Sequence, residues 1–227
     1  MVGDTWQAAY DARIVKQMFD HDVDYFASWG YFSGPYGFFE GLPTVSFHVA
    51  REAAKFKGMR RLSVSATKRD VPGVEVDAVA AASDDGRVVR VMAYAFKNDL
   101  HATGKVPLGI SVKLPPAWKE REVRVVRTTV DDDANWFDDW RRIRKERGIG
   151  DERFGWSPDG STPTAFKFNG LRSPKDCEMF RREIEPQLRD CAKLKPIVER
   201  MKVNAEGLAA LTAEIPVNSV VSFELHH

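Results

Sequence analysis

From Leu62 onward, apolar residues recur at every second position. Leu62, Val64 and Ala66 alternate with polar neighbours, as do Val74, Val76, Ala78 and Ala80, then Val89, Val91, Ala93 and Ala95. Leu108, Ile110, Val112 and Leu114 form another run, stopped by Pro115-Pro116, and Val123 with Val125 begins one more. Successive side chains of a strand point to opposite faces, so a period of two marks strands with one face in a core. Asp84-Asp85-Gly86, between the second and third runs, is a hairpin turn signal. Several short strands separated by turn residues predict an antiparallel β-sandwich. Later in the chain Leu208 to Ile215 reads as a weaker strand. Val217 to Leu225, with Val221, Phe223 and Leu225 alternating, reads as a stronger one.

Residues 1–58 follow a different grammar. A helix is predicted from Asp4, a plausible N-cap, to Phe19, with Trp6, Tyr10, Ile14 and Met18 as its apolar stripe. Val23 to Ser33 is rich in aromatics at both parities, as in a parallel strand buried on both faces. A glycine-rich loop is expected over Gly34 to Gly41. Pro43 then opens a second helix carrying Val45, Val49, Ala53 and Phe56, closed by Gly58. An irregular polar block from Asp131 to about Pro196 interrupts the strand pattern. It holds a predicted helix, Asn135 to Arg147, and a Gly/Pro/Ser-rich stretch, Gly148 to Pro174. A further helix is predicted from Lys175 to Cys191, kinked or split by Pro186. The expected fold class is mixed α and β: a helix-strand-helix segment over 1–58, then a sandwich over 59–227 with a helical insertion at about 131–196.

Charge and composition narrow the function. The chain has 227 residues, and 34 Lys and Arg against 33 Asp and Glu leave a formal charge of +1. That balance argues against nucleic-acid binding driven by bulk electrostatics, which needs a basic excess. No apolar stretch approaches the roughly 20 residues of a spanning helix, so no membrane role is expected. Met1-Val2-Gly3-Asp4 lacks the basic-then-apolar layout of a secretory leader, which points to the cytoplasm if the chain is complete. Cys177 and Cys191 fit no metal motif and read as free thiols. There is no phosphate loop, Gly-x-Ser-x-Gly elbow, His-Glu-x-x-His or Cys-x-x-Cys, so neither metal nor cofactor is expected.

The aromatic run Trp29, Tyr31, Phe32, Tyr36, Phe38, Phe39 is the most informative candidate for binding. Aromatic faces suit the apolar C–H faces of sugar rings. Most of these rings read as core, and Trp29 and Tyr36 are the best placed for ligand contact. Asp24, at a strand start, and Glu40, in the glycine-rich loop, read as loop carboxylates rather than catalytic groups. His48 reads as a packed helix residue and Asp131-Asp132-Asp133 as a helix N-terminal charge cluster. Arg141, Arg142, Arg144, Lys145 and Arg147 read as a solvated helix face.

The order of these elements resembles the C-terminal part of glycoside hydrolase family 39, which includes β-xylosidases and α-L-iduronidases. The residues that carry the resemblance are the helix Trp6-Gln7-Ala8-Ala9-Tyr10, the strand end Tyr31-Phe32-Ser33, and Gly41-Leu42-Pro43 before a helix. Downstream they are Asp131, Asn135 and Trp140, and the closing Ile215-Pro216-Val217-Asn218-Ser219-Val220. Trp29 is one residue out of step with the family's pattern, and Gly34 stands where the family often has Asp. The resemblance implies that residues 1–58 are the terminal βα portion of a TIM-like (β/α)8 barrel and residues 59–227 its accessory sandwich. It implies a retaining hydrolase of the β-xylosidase type, with two carboxylates about 5–5.5 Å apart. The family's acid/base and nucleophile glutamates lie on earlier barrel strands, so no catalytic residue is assigned here. Trp29, Tyr31 and Tyr36 would supply part of a sugar-binding wall. One βα unit cannot close a barrel. The rest would come from an upstream segment or a second chain, unless the sandwich is a unit with the first segment folded onto it. The alternatives are a non-catalytic sandwich that binds carbohydrate, or an interaction protein using Arg141 to Pro174.

Overall fold

The computed structural model describes residues 5–21, 23, 32–34, 37–68, 71–150, 171 and 173–227, and of residues 32–34 and 37–40 the backbone alone. Helix α1 (Thr5–Asp20) is followed by strands β1 (Phe32–Gly34) and β2 (Gly37–Pro43) and by helix α2 (Val45–Ala54). Among the described residues, nine more strands make two further antiparallel sheets. They are β3 (Arg60–Leu62), β4 (Val64–Lys68), β5 (Glu75–Ala82), β6 (Val88–Phe96), β7 (Lys105–Lys113), β8 (Glu122–Val130), β9 (Ile197–Lys202), β10 (Leu208–Pro216) and β11 (Ser219–His226). The larger sheet runs β3-β5-β6-β11-β8-β9 and the smaller β10-β7-β4. Each alternating run of the sequence is a strand here. The first is two: the chain leaves the large sheet after Leu62 and enters the small one at Val64.

The two sheets face each other across one core. Ala78, Ala80, Val89, Val91, Val221, Phe223 and Leu225 of the large sheet pack against Val106, Leu108, Ile110, Ala209 and Leu211 of the small one. The other face of the large sheet is apolar as well, with Val79, Ala81, Met92, Tyr94, Phe96, Val130 and Val220. Helices α1 and α2 cover it, and both faces of β5 and β6 are therefore buried. The face that α1 buries differs from the predicted stripe. Ala8, Ala9 and Ala12 are fully buried, while Trp6 and Tyr10 lie at the flank, stacked on each other at 4.9 Å. Alanines let a helix axis approach its neighbours closely, and the large rings cap the edge of the contact. Lys16 and Arg13 pin α1 to β5: Lys16 pairs with Asp77 at 3.1 Å and Arg13 with Glu75 at 2.9 Å.

Of the glycine-rich loop expected over Gly34 to Gly41, Gly34 ends β1 and residues 37–41 lie in β2, while residues 35 and 36 lie outside the described residues. Phe32 pairs with Pro43 and Ser33 with Leu42, antiparallel, with a register shift at Gly34. Gly41 takes φ +118°, open to glycine because it has no Cβ. The described end of the aromatic strand is thus antiparallel, not parallel, and residues 24–31 lie outside the described residues. Helix α2 begins two residues later than predicted and ends at Ala54, short of Gly58: Pro43 ends β2, and Thr44 is the N-cap, its Oγ1 accepting from Phe47 N at 3.4 Å.

The insertion contains α3 (Phe137–Glu146), α4 (Pro174–Met179) and α5 (Glu185–Cys191). Between α4 and α5, Phe180–Ile184 widens into a π turn. Pro186 explains it: with no N–H, and a ring that crowds the carbonyl four residues back, it cannot sit in an unbroken α-helix. β9 carries no alternation because it is an edge strand, with Ile197 and Val198 about half exposed. Among the described residues, no helix is long and apolar enough to cross a membrane.

The β10–β11 turn is tied to the β6–β7 connection by one residue. Asn218 is buried at φ +64°; its Oδ1 accepts from Lys97 N at 2.8 Å and its Nδ2 donates to Asp99 O at 2.9 Å. Asn218→Ala removes both bonds and places a Cβ residue without a compensating side chain in left-handed backbone. A loss of about 2–3 kcal/mol is expected by urea unfolding, with Asn218→Gly losing less because the backbone term is absent.

Candidate functional site

Two segments that carry the family resemblance meet in space. Leu42, at the end of β2, is buried among Trp136, Trp140, Phe180 and Leu188 of the insertion. Trp136 Nε1 donates to Pro43 O at 3.1 Å, and its ring stacks on Phe137 at 4.1 Å. Trp140 meets Phe180 edge-on at 5.0 Å. Asp131 and Asn135 shape the entry to this cluster. Asp131 Oδ1 accepts from Asp133 N at 3.1 Å, and Asn135 Oδ1 accepts from Phe137 N at 3.2 Å, turning the chain into α3. These residues fasten the β1–β2 hairpin to the insertion, and their chemistry here is structural.

The predicted sugar-wall residues Trp29, Tyr31 and Tyr36 lie outside the described residues, as does Asp24. Glu40 falls within β2 rather than in a loop, with only its backbone described. The insertion cations are largely engaged. Arg141 pairs with Asp138 at 2.5 Å, Arg142 with Asp139 and Glu146 at 3.0 and 3.1 Å, and Arg147 with Glu183 at 2.9 Å. Arg144 Nε donates to Ile149 O at 2.8 Å. Both cysteines are free, and burial pushes both thiols up, away from the thiolate a nucleophile needs. Among the described residues no group of three metal-ligating side chains converges.

Buried polar groups concentrate where α1, α2 and the outer sheet face meet. Asp11 faces Ser46 and accepts from Gln7 Nε2 at 2.7 Å, and desolvation pushes its carboxyl up. Tyr94 donates to Glu75 at 2.7 Å, and burial pushes its phenol far up, with the Glu75 carboxylate adding to the shift. Glu75 also holds Arg13, so its oxygens are committed. Beside the end of α2 lies a polar patch that alternation alone did not single out: Arg90, Thr128, Ser222 and Glu224. Their outward parity was readable from the strand pattern, and outward polar residues ordinarily mean solvent. Their enclosure comes from α2, at the far end of the sequence.

No family model and no curated protein matches the chain. Among solved structures, the GH39 enzyme from Xanthomonas axonopodis pv. citri is similar in fold, with a TM-score of 0.57 at 16% sequence identity. The match covers 99% of this chain and 41% of that one, in its C-terminal part. A glucosidase from Croceicoccus marinus is matched at a TM-score of 0.47 and 14% identity, over 99% of this chain and 42% of that one. The chain thus shares the fold of part of the Xanthomonas enzyme and spans well under half of that enzyme's length.

His48 is a packed residue, as expected. It is 2% exposed, and its Nε2 lies 2.7 Å from Ala192 O, joining α2 to the end of α5. Burial holds the imidazole below its ordinary value of 6.5; the Ala192 bond opposes this and the Arg51 charge adds to it. The unfolded chain therefore takes up a proton that the native protein refuses. Stability is full above pH 6.5 and is lost as pH falls from there toward the lower native pKa. His48→Gln keeps an N–H able to reach Ala192 and removes the titration. In urea unfolding between pH 7 and pH 5, the wild type is expected to lose stability relative to this variant.

Proposed function

We propose that this chain is the C-terminal portion of a retaining glycoside hydrolase of the family 39, β-xylosidase type. The observation that carries the reading is the fold match, which spans 99% of this chain but only 41% of the Xanthomonas enzyme. Residues 1–58 correspond in this reading to the last barrel elements and residues 59–227 to the accessory sandwich. The acid/base and nucleophile carboxylates belong to an upstream segment or a second chain. Trp29, Tyr31 and Tyr36 contribute stacking surface to the sugar site, and the substrate is a carbohydrate.

The sandwich has a complete core of its own and carries α1 and α2 on its outer face. That observation favours a second reading, a non-catalytic sandwich module that binds carbohydrate. The two readings part on hydrolysis. The 227-residue chain alone is expected to leave aryl xylosides intact. Joined to the barrel segment or partner chain, it is expected to complete an active enzyme. In that enzyme Trp29→Ala should lower kcat/KM for aryl xylosides by about 3- to 10-fold, the worth of one lost ring contact. Turnover by the chain alone would overturn the reading, and so would inactivity of every assembly with a barrel segment while saccharide binding persists.

A further inference from the structure

The cover over the large sheet's outer face is incomplete. α1 and α2 lie over Met92, Tyr94, Val130 and Val220, and α2 ends at Ala54. Past that end the exposed ladder is polar. Ser222 stands between Met92 and Thr128, and Glu224 between Arg90 and Val126. Arg51 and Glu52 of α2, with Lys55 and Phe56 just past its end, overhang these rows, and Leu194 and Pro196 close the side toward β9. Together they bound a cleft of about 270 Å³.

Two properties set this cleft apart from a packing gap. First, Ser222 is 8% exposed, and its Oγ is buried with no hydrogen-bond partner. A buried hydroxyl left unpaired is costly, and native structures rarely keep one without a use. Second, the charged walls are matched among themselves. Lys55 lies 2.7 Å from Glu52, Arg90 2.8 Å from Glu224, and Arg51 3.9 Å from Glu52. Pairing cancels most of the field but leaves guanidinium and ammonium donors beside carboxylate lone pairs. An anion drawn to the cations would meet Glu52 and Glu224. A neutral ring bearing several hydroxyls can donate to the carboxylates and accept from the cations at once, with Phe56 and Val126 offering apolar contact. The volume is at the low end for ligand pockets and suits one ring rather than a chain of them.

We propose that this cleft binds a polyhydroxylated ligand the size of a monosaccharide, with Ser222 Oγ at its floor and the Lys55–Glu52 and Arg90–Glu224 pairs holding its hydroxyls. The inference uses none of Trp29, Tyr31 and Tyr36, and it holds whether or not the chain belongs to a glycosidase.

The test is calorimetric titration and saturation-transfer NMR of the 227-residue chain with D-xylose, D-glucose and myo-inositol, and separately with inorganic phosphate and acetate. At least one polyol is expected to bind in the millimolar range. Ser222→Ala should weaken it about tenfold without lowering Tm, because the hydroxyl has no partner to lose. Val126→Phe, which fills the floor, should abolish binding. The proposal is overturned if no polyol binds, if only phosphate or acetate does, or if Ser222→Ala leaves polyol affinity unchanged.

Discussion

Ala8, Ala9 and Ala12 bring α1 down onto the outer face of β5, β6 and β11, and this contact organises the rest of the molecule. A sandwich sheet ordinarily keeps one face in water. Here Val79, Ala81, Met92, Tyr94 and Val220 make the second face apolar, so it must be covered. α1 does most of that and α2 packs beside it, reaching β8. The hairpin that leads into α2 then fixes where the insertion sits, because Leu42 and Pro43 are gripped by Trp136 and its neighbours. Among the described residues three apolar clusters follow: one between the sheets, one under the helices and one inside the insertion.

That arrangement gives physical content to the likeness with part of a glycoside hydrolase. Gly41-Leu42-Pro43 and the stretch from Asp131 to Trp140 are far apart in sequence and touch in the fold. Asn218 has the same character: the closing Pro-Val-Asn-Ser stretch is a buried corner with backbone partners at Lys97 and Asp99.

Strands facing a core on one side and bounded by turns were legible, and Ser83, Asp85 and Gly86 close the β5–β6 hairpin where Asp-Asp-Gly stands. The break at Pro186 was legible too, because a missing N–H has local consequences. What escaped depended on distant partners. β9 has no buried face to impose alternation. The α1 contact follows small residues rather than large ones, since closeness to the sheet decided it. Gly37–Pro43 forms a strand despite its glycines, because β1 supplies partners for Gly37, Leu42 and Pro43. Of the candidate site, the aromatic residues were readable by type alone. Ser222, Arg90 and Glu224 were readable only as outward-facing, since the roof above them comes from Arg51 to Phe56, outside their own strands and far from Ser222 and Glu224 in sequence.

The strand order has a consequence for how the chain acquires its structure. β11, residues 219–226, lies in the middle of the large sheet, between β6 and β8, and β10 pairs with β7 across a comparable stretch of sequence. Until residue 226 has left the ribosome, β6 and β8 have no strand to bridge them, and α1 has only part of the surface it will rest on. Such distant pairings close large loops before they are rewarded, which makes folding slow and leaves apolar strands waiting. Synthesis therefore runs well ahead of folding, and the chain depends on reaching its last strand before its first ones find another partner.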